Sequence, residues 1–89
     1  MNNKILLESI ALDLKRIAMA YHTNSFKTAA RFYTEVQKRR EMLTNDHLPK
    51  SVIMLFVAMD KHMQRNDTKR NAEDALMYST IFLSLAKHL

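Results

Sequence analysis

An all-α fold, a compact antiparallel four-helix domain built from two helical hairpins, is predicted by three features of this sequence. The chain holds no Gly and a single Pro, Pro49. Sheets and hairpin turns draw heavily on both residues, so their scarcity favours helices. Asn24, Asn45 and Asn66 stand 21 residues apart. Where Gly is missing, Asn is the next best residue for the left-handed conformation that ends a helix, and this spacing divides the chain into four similar segments. Apolar residues recur at helical spacing within each segment. The helices expected are at about 4–22, 25–43, 49–65 and 68–88, in one domain spanning 1–89.

In segment one, Leu6, Leu7, Ile10, Leu14, Ile17, Ala18 and Tyr21 form one broad helical face. Ile5, Leu12 and Met19, seven residues apart, form a second and narrower stripe beside Glu8, Lys15 and Arg16. A helix in a four-helix bundle needs only one broad face for its own core. The stripe is therefore a candidate contact for another protein or for a second copy of the chain.

Segment two opens at Ser25, a good N-cap residue. Phe26, Ala29, Ala30, Tyr33, Val36 and Leu43 are expected to face inward, with Phe32 at the edge. Lys27, Arg31 and Lys38 share the outer face, and Lys38-Arg39-Arg40 lies near the C-terminal end, where cations complement the helix dipole. These five, Lys27, Arg31, Lys38, Arg39 and Arg40, are the candidate phosphate contacts should the chain meet nucleic acid.

Segment three holds the longest apolar run, Val52 to Met59. Pro49 lies just upstream, where a helix start tolerates it. Val52, Phe56, Met59 and Met63 fall on one side, Leu55 flanks them, and Ile53 and Val57 point elsewhere. A helix apolar nearly all round is expected to be buried on several sides. In segment four, Asp67 or Thr68 can cap the start. Ala72, Ala75, Ser79 and Ala86 form a seam of small residues. Tyr78, Phe82, Leu85 and Leu89 lie on one side of it, Leu76 and Leu83 on the other. Small residues admit close neighbours, so this helix is expected to be gripped by two others.

The net charge is +5, and the excess sits before Asp46. That permits contact with phosphate or acidic proteins without the charge density of a dedicated nucleic-acid binder. There is no Cys, so disulfides and thiolate metal sites are absent. The start, Met1-Asn2-Asn3-Lys4, soon meets Glu8 and Asp13, unlike a signal peptide, and a cytoplasmic setting is expected. The run in segment three is far too short to span a bilayer, so no membrane partner is expected.

Ile17-Ala18-Met19-Ala20-Tyr21-His22 followed by Ser25-Phe26-Lys27-Thr28-Ala29-Ala30-Arg31-Phe32-Tyr33 resembles one tetratricopeptide-type helical hairpin. The likeness covers about a quarter of the chain and needs a one-residue deletion at the turn, and it lacks the usual Gly and closing Pro. Ala58-Met59, His62, Ala75 and Tyr78 echo it in the second half. Arrays of such repeats need about three units and this chain has room for two, so no family is assigned.

His22, His47, His62 and His88 lie at segment ends or connections, and no pair has the spacing that sets two ligands on one helix face. No catalytic, metal or cofactor site is expected. Asp13 and Asp60 sit among apolar neighbours; either is a candidate shifted carboxylate, and an exposed position at a helix edge is the expectation preferred for both. The function expected is non-catalytic: a small helical protein acting through protein–protein interaction, including self-association. The alternative is a basic nucleic-acid-associated accessory protein. A further alternative is an immunity-type bundle, since the chain is similar in size, basicity and architecture to bacteriocin immunity proteins.

Overall fold

In the computed structural model, which describes residues 2–44, 48–64 and 67–89, four helices follow one another. They are α1 (Asn3–His22), α2 (Phe26–Met42), α3 (Lys50–Met63) and α4 (Thr68–Lys87). Each agrees with its expected span to within two residues. Asn45, Asn66 and His47 lie outside the described residues.

The helix ends follow from side-chain chemistry. Asn2 accepts from the Ile5 N–H at 2.9 Å, and Asp67 accepts from the Arg70 N–H at 3.1 Å, each satisfying a donor that has no intrahelical partner. Asn24 takes φ 57°, as the lack of Gly requires. The Ser25 N–H then reaches the Ala20 carbonyl at 2.8 Å and the Asn24 N–H the Tyr21 carbonyl at 3.2 Å, a Schellman closure made with Asn. Ser25 precedes α2 but makes no side-chain cap; its hydroxyl lies 3.2 Å from that of Thr23. The Asn3 amide pairs with both backbone groups of Thr44, at 2.9 and 3.0 Å, and ties the start of α1 to the end of α2.

Packing is uneven around the bundle. α1 lies against both α2 and α4, and α3 lies against α4. Among the described residues, no Cα of α2 comes within 8 Å of one in α3. The ring of helices is thus closed on three sides and splayed on the fourth. Its most extensive side is α1 against α4, where Ala11 and Ala18 of α1 and Ala72, Ala75, Ser79 and Ala86 of α4 are all buried. The Ser79 hydroxyl donates to the Ala11 carbonyl at 2.6 Å, so a polar group inside the seam is satisfied by the neighbouring backbone. α4 is gripped by two helices, as its small residues predict.

Two expectations about burial are corrected. The most deeply buried helix is α1, not α3: Leu6, Leu7, Ile10, Leu14 and Ile17 are all fully buried between α2 and α4. α3 buries Val52, Phe56 and Met59 only, while Ile53, Met54 and Val57 are 50%, 71% and 59% exposed. Phe26 and Ala30 of α2, expected inward, are exposed. Phe26 and Ala30 line the larger hollow on the splayed side and Ile53 the smaller one, where α2 and α3 have no helix to pack on. Among the described residues, no helix is long and apolar enough to cross a membrane.

The centre of the core is aromatic. Phe56 stacks on Phe82 at 4.6 Å between ring centroids, and Tyr78 lies 6.5 Å from Phe82. Phe56→Ala removes that stack, and urea unfolding is expected to show a loss of about 3–5 kcal/mol. Val57→Ser, one residue along but in water, is expected to change stability by less than about 0.5 kcal/mol.

Candidate functional site

Helix α2 contributes little to the apolar core, burying only Ala29 and Val36. Its adjacent arginines supply what its apolar face lacks. Successive residues on a helix point about 100° apart, so Arg39 and Arg40 leave α2 in different directions. Arg39 turns to α1 and meets Asp13, whose second oxygen accepts from Arg16 at 3.0 Å. Arg40 turns to α3 and meets Asp60. Its guanidinium carbon lies 4.8 Å from the centre of the Phe56 ring, so one cation faces both a carboxylate and the core aromatic.

Asp60 is the hub of a clasp across the splayed side. Tyr33 donates to its Oδ1 at 2.6 Å, and Gln37 donates to the same atom at 3.2 Å. Partial burial pushes the Asp60 carboxyl up, but the hydrogen bonds from Tyr33, Arg40 and Gln37 and the Arg40 charge outweigh it and hold the group below the ordinary Asp range. Burial, together with the bond and charge of Asp60, pushes the Tyr33 phenol well above its usual value. Tyr33 therefore stays protonated, and a donor to the Asp60 carboxylate, at neutral pH.

The clasp divides the splayed side into two hollows. A cleft of about 610 Å³ lies on one side, lined by Tyr21, Phe26, Ala30, Tyr33, Asp60 and Met63 among others. Tyr21 and Phe26 form a tilted pair, 6.3 Å between centroids, at its end. A smaller hollow of about 140 Å³ is lined by Arg40, Leu43, Leu48, Ile53 and Phe56.

The sequence-derived candidates fall into two groups. Ile5, Leu12 and Met19 share one outward line on α1, at 44%, 50% and 63% exposure, opposite the face that fills the core. Leu76 and Leu83 of α4 are also exposed. Of the five phosphate candidates, Lys27, Arg31 and Lys38 stand exposed on the outer face of α2. Lys38 lies 3.6 Å from Glu35, and Arg31 sits over the Phe32 ring at 5.0 Å. Arg39 and Arg40 belong to the internal ion pairs, so the structure does not bring the five together on one face.

Asp13 and Asp60 correct an expectation: Asp13 is 2% exposed and Asp60 is partly buried, neither standing free at a helix edge, while the shifted-carboxylate alternative fits Asp60. The sequence reading missed the role of Asp13. The available signal was Asp13 among apolar neighbours together with an unusual Arg-Arg pair on a helix short of apolar residues. His22 and His88 are exposed near helix ends, while the His62 Nδ1 shares a 2.8 Å hydrogen bond with the Tyr78 hydroxyl. Among the described residues, no group of His, Asp and Glu is arranged to hold a metal ion. Comparison of the chain with protein families, with curated proteins and with solved structures gave no match.

Two predictions test the arginine pairs. Arg39→Met leaves Asp13 buried with Arg16 alone and is expected to cost about 3 kcal/mol in urea unfolding. Asp13→Leu/Arg39→Met, with no charge left to desolvate, is expected to recover most of that loss. For Asp60, the unfolded chain binds the proton more readily than the folded one. The clasp's contribution is thus complete above the ordinary Asp value of 3.8 and is lost as pH falls through the lowered folded value. Between about pH 7 and about pH 3, the urea midpoint of the native chain should fall further than that of Asp60→Asn.

Proposed function

We propose that this chain is a non-catalytic helical protein that acts by binding protein, and in the first place a second copy of itself, through the back of α1. The observation supporting this reading is the exposed row Ile5, Leu12 and Met19 on the helix whose other faces are the most deeply buried. α1 needs none of the three for its own core.

The row is also self-complementary. When two α1 helices are set antiparallel about Leu12, Leu12 meets its own copy. Ile5 then falls opposite Met19, and Glu8 falls opposite Arg16, because each pair is centred on residue 12. A two-fold axis generates this arrangement, the commonest one for a small homo-oligomer. The Glu8–Arg16 contact lies at a wet rim and serves register more than affinity.

Magnitudes limit the strength of such a dimer. Half-exposed side chains of this size contribute about 1 kcal/mol each on full burial, taking half of the usual range. Six of them give about 6 kcal/mol, at the lower edge of the roughly 4–15 kcal/mol that association costs. The dimer expected is therefore weak. A nucleic-acid role has less support, since two of its five cations are engaged inside the bundle.

Sedimentation equilibrium tests the proposal. The native chain should approach twice its 10.4 kDa mass at high concentration, and Leu12→Lys/Met19→Lys should remain at the single-chain mass with unchanged helicity. Equal masses for the two proteins across the concentration range would overturn self-association through this face.

A further inference from the structure

We infer that the larger hollow between α2 and α3 is a binding site for a small organic cation whose head is a fully alkylated ammonium. The site is separate from the α1 row and does not depend on it. Three observations point to that ligand.

The first is the make-up of the walls. Tyr21, Phe26 and Tyr33 all line the hollow of about 610 Å³, together with Met63. That volume falls within the roughly 300–1,000 Å³ of small-molecule sites. Tyr21 and Phe26 meet with their ring planes 52° apart, so they form a corner rather than a flat wall. The Tyr33 hydroxyl is tied to Asp60 at 2.6 Å, which holds its ring in place. Phe26 is 49% exposed, so a large ring is left without cover at this corner. Aromatic faces carry negative charge density and attract a cation that lies on them, quaternary ammonium groups above all.

The second is the direction of the Arg40–Asp60 pair. Asp60 lines the larger hollow and Arg40 the smaller, and neither lines both. The pair therefore lies across the clasp with its negative end at the larger hollow. Among the described residues that line that hollow, Asp60 is the only charged one. A cation entering it is drawn by a carboxylate and by ring faces, and an anion is repelled by both.

The third is hydrogen-bonding capacity. Asp60 already accepts from Tyr33, Gln37 and Arg40. The Gln37 oxygen accepts from Arg40 at 3.4 Å, and the Thr34 hydroxyl donates to the Ala30 carbonyl at 3.1 Å. An ammonium with N–H groups would exchange water for acceptors that are already engaged. A fully alkylated ammonium has no N–H and loses no such bond, so charge and ring faces alone can hold it.

The test titrates choline, its uncharged isostere with carbon in place of nitrogen, and ethanolamine into the ¹⁵N-labelled full chain at constant ionic strength. Choline should bind saturably, with amide shifts clustered at Tyr21, Phe26, Ala30 and Tyr33. The isostere and ethanolamine should each bind at least about tenfold more weakly. Phe26→Leu removes a ring from an exposed position, and Gln64→Lys brings a cation to an exposed part of the wall. Each should weaken choline at least about fivefold with helicity unchanged. The proposal is overturned if choline fails to saturate below about 100 mM, if either comparison compound matches it, or if both variants bind like the native chain. Shifts that map to Ile5, Leu12 and Met19 would also overturn it. So would a short trimethyllysine peptide binding more than about tenfold tighter than choline, which would mark a modified protein as the ligand. Concentration-dependent shifts in the hollow without any ligand would mark a second copy as its occupant and overturn it as well.

Discussion

A buried carboxylate has to be paired, and in this protein that requirement positions a whole helix. Asp13 lies inside the α1 surface that α2 covers, and Arg39 reaches it from α2. Removing two charges from water is costly, and a buried pair repays that cost only when its geometry is good and further hydrogen bonds complete it. Arg16 supplies the further bond to Asp13. The next residue along, Arg40, repeats the device toward Asp60, where Tyr33 and Gln37 complete the set. With only Ala29 and Val36 fully buried, α2 has little apolar area to orient it. The ion pairs fix its rotation, and that rotation decides which cations face water and how the splayed side is bridged.

Periodicity made the four helices readable because each has at least one face that must leave water. The seam on α4 was readable for the same reason, since Ala72, Ala75, Ser79 and Ala86 are small at helical spacing. The limits were equally physical. Periodicity in α3 marks Ile53 and Val57 as apolar but carries no information on whether a neighbouring helix arrives to cover them. In α2 the same ambiguity made Phe26 and Ala30 look inward. Asp13 and Arg39 are 26 residues apart, and Asp60 and Arg40 are 20 apart. No local spacing rule joins residues at such distances, so the internal ion pairs emerge only once the helices are placed. The stripe Ile5, Leu12 and Met19 was visible early because it is surplus to the needs of its own helix, a property that sequence alone can reveal.

The functional reading rests on surfaces, and the two surfaces differ in kind. The back of α1 is a convex row backed by the most deeply buried helix, suited to meeting a rigid copy of itself. The α2–α3 side is crossed by the polar clasp at Asp60, which leaves one hollow on each side of it.

The seam between α1 and α4 also governs the order in which the fold can be made. The Ser79–Ala11 hydrogen bond joins residues 68 apart, so the most extensive interface in the molecule is also among the most distant in sequence. The α1–α2 and α3–α4 contacts are local and cheap to close, whereas uniting the first helix with the last pays loop-closure entropy before any packing rewards it. A nascent chain lacking α4 would hold Ala11 and Ala18 bare along one flank of α1, with no neighbour for its most extensive contact. Completion of the core during synthesis therefore waits for the last helix, and the bundle sets cooperatively only when the two ends of the described chain meet.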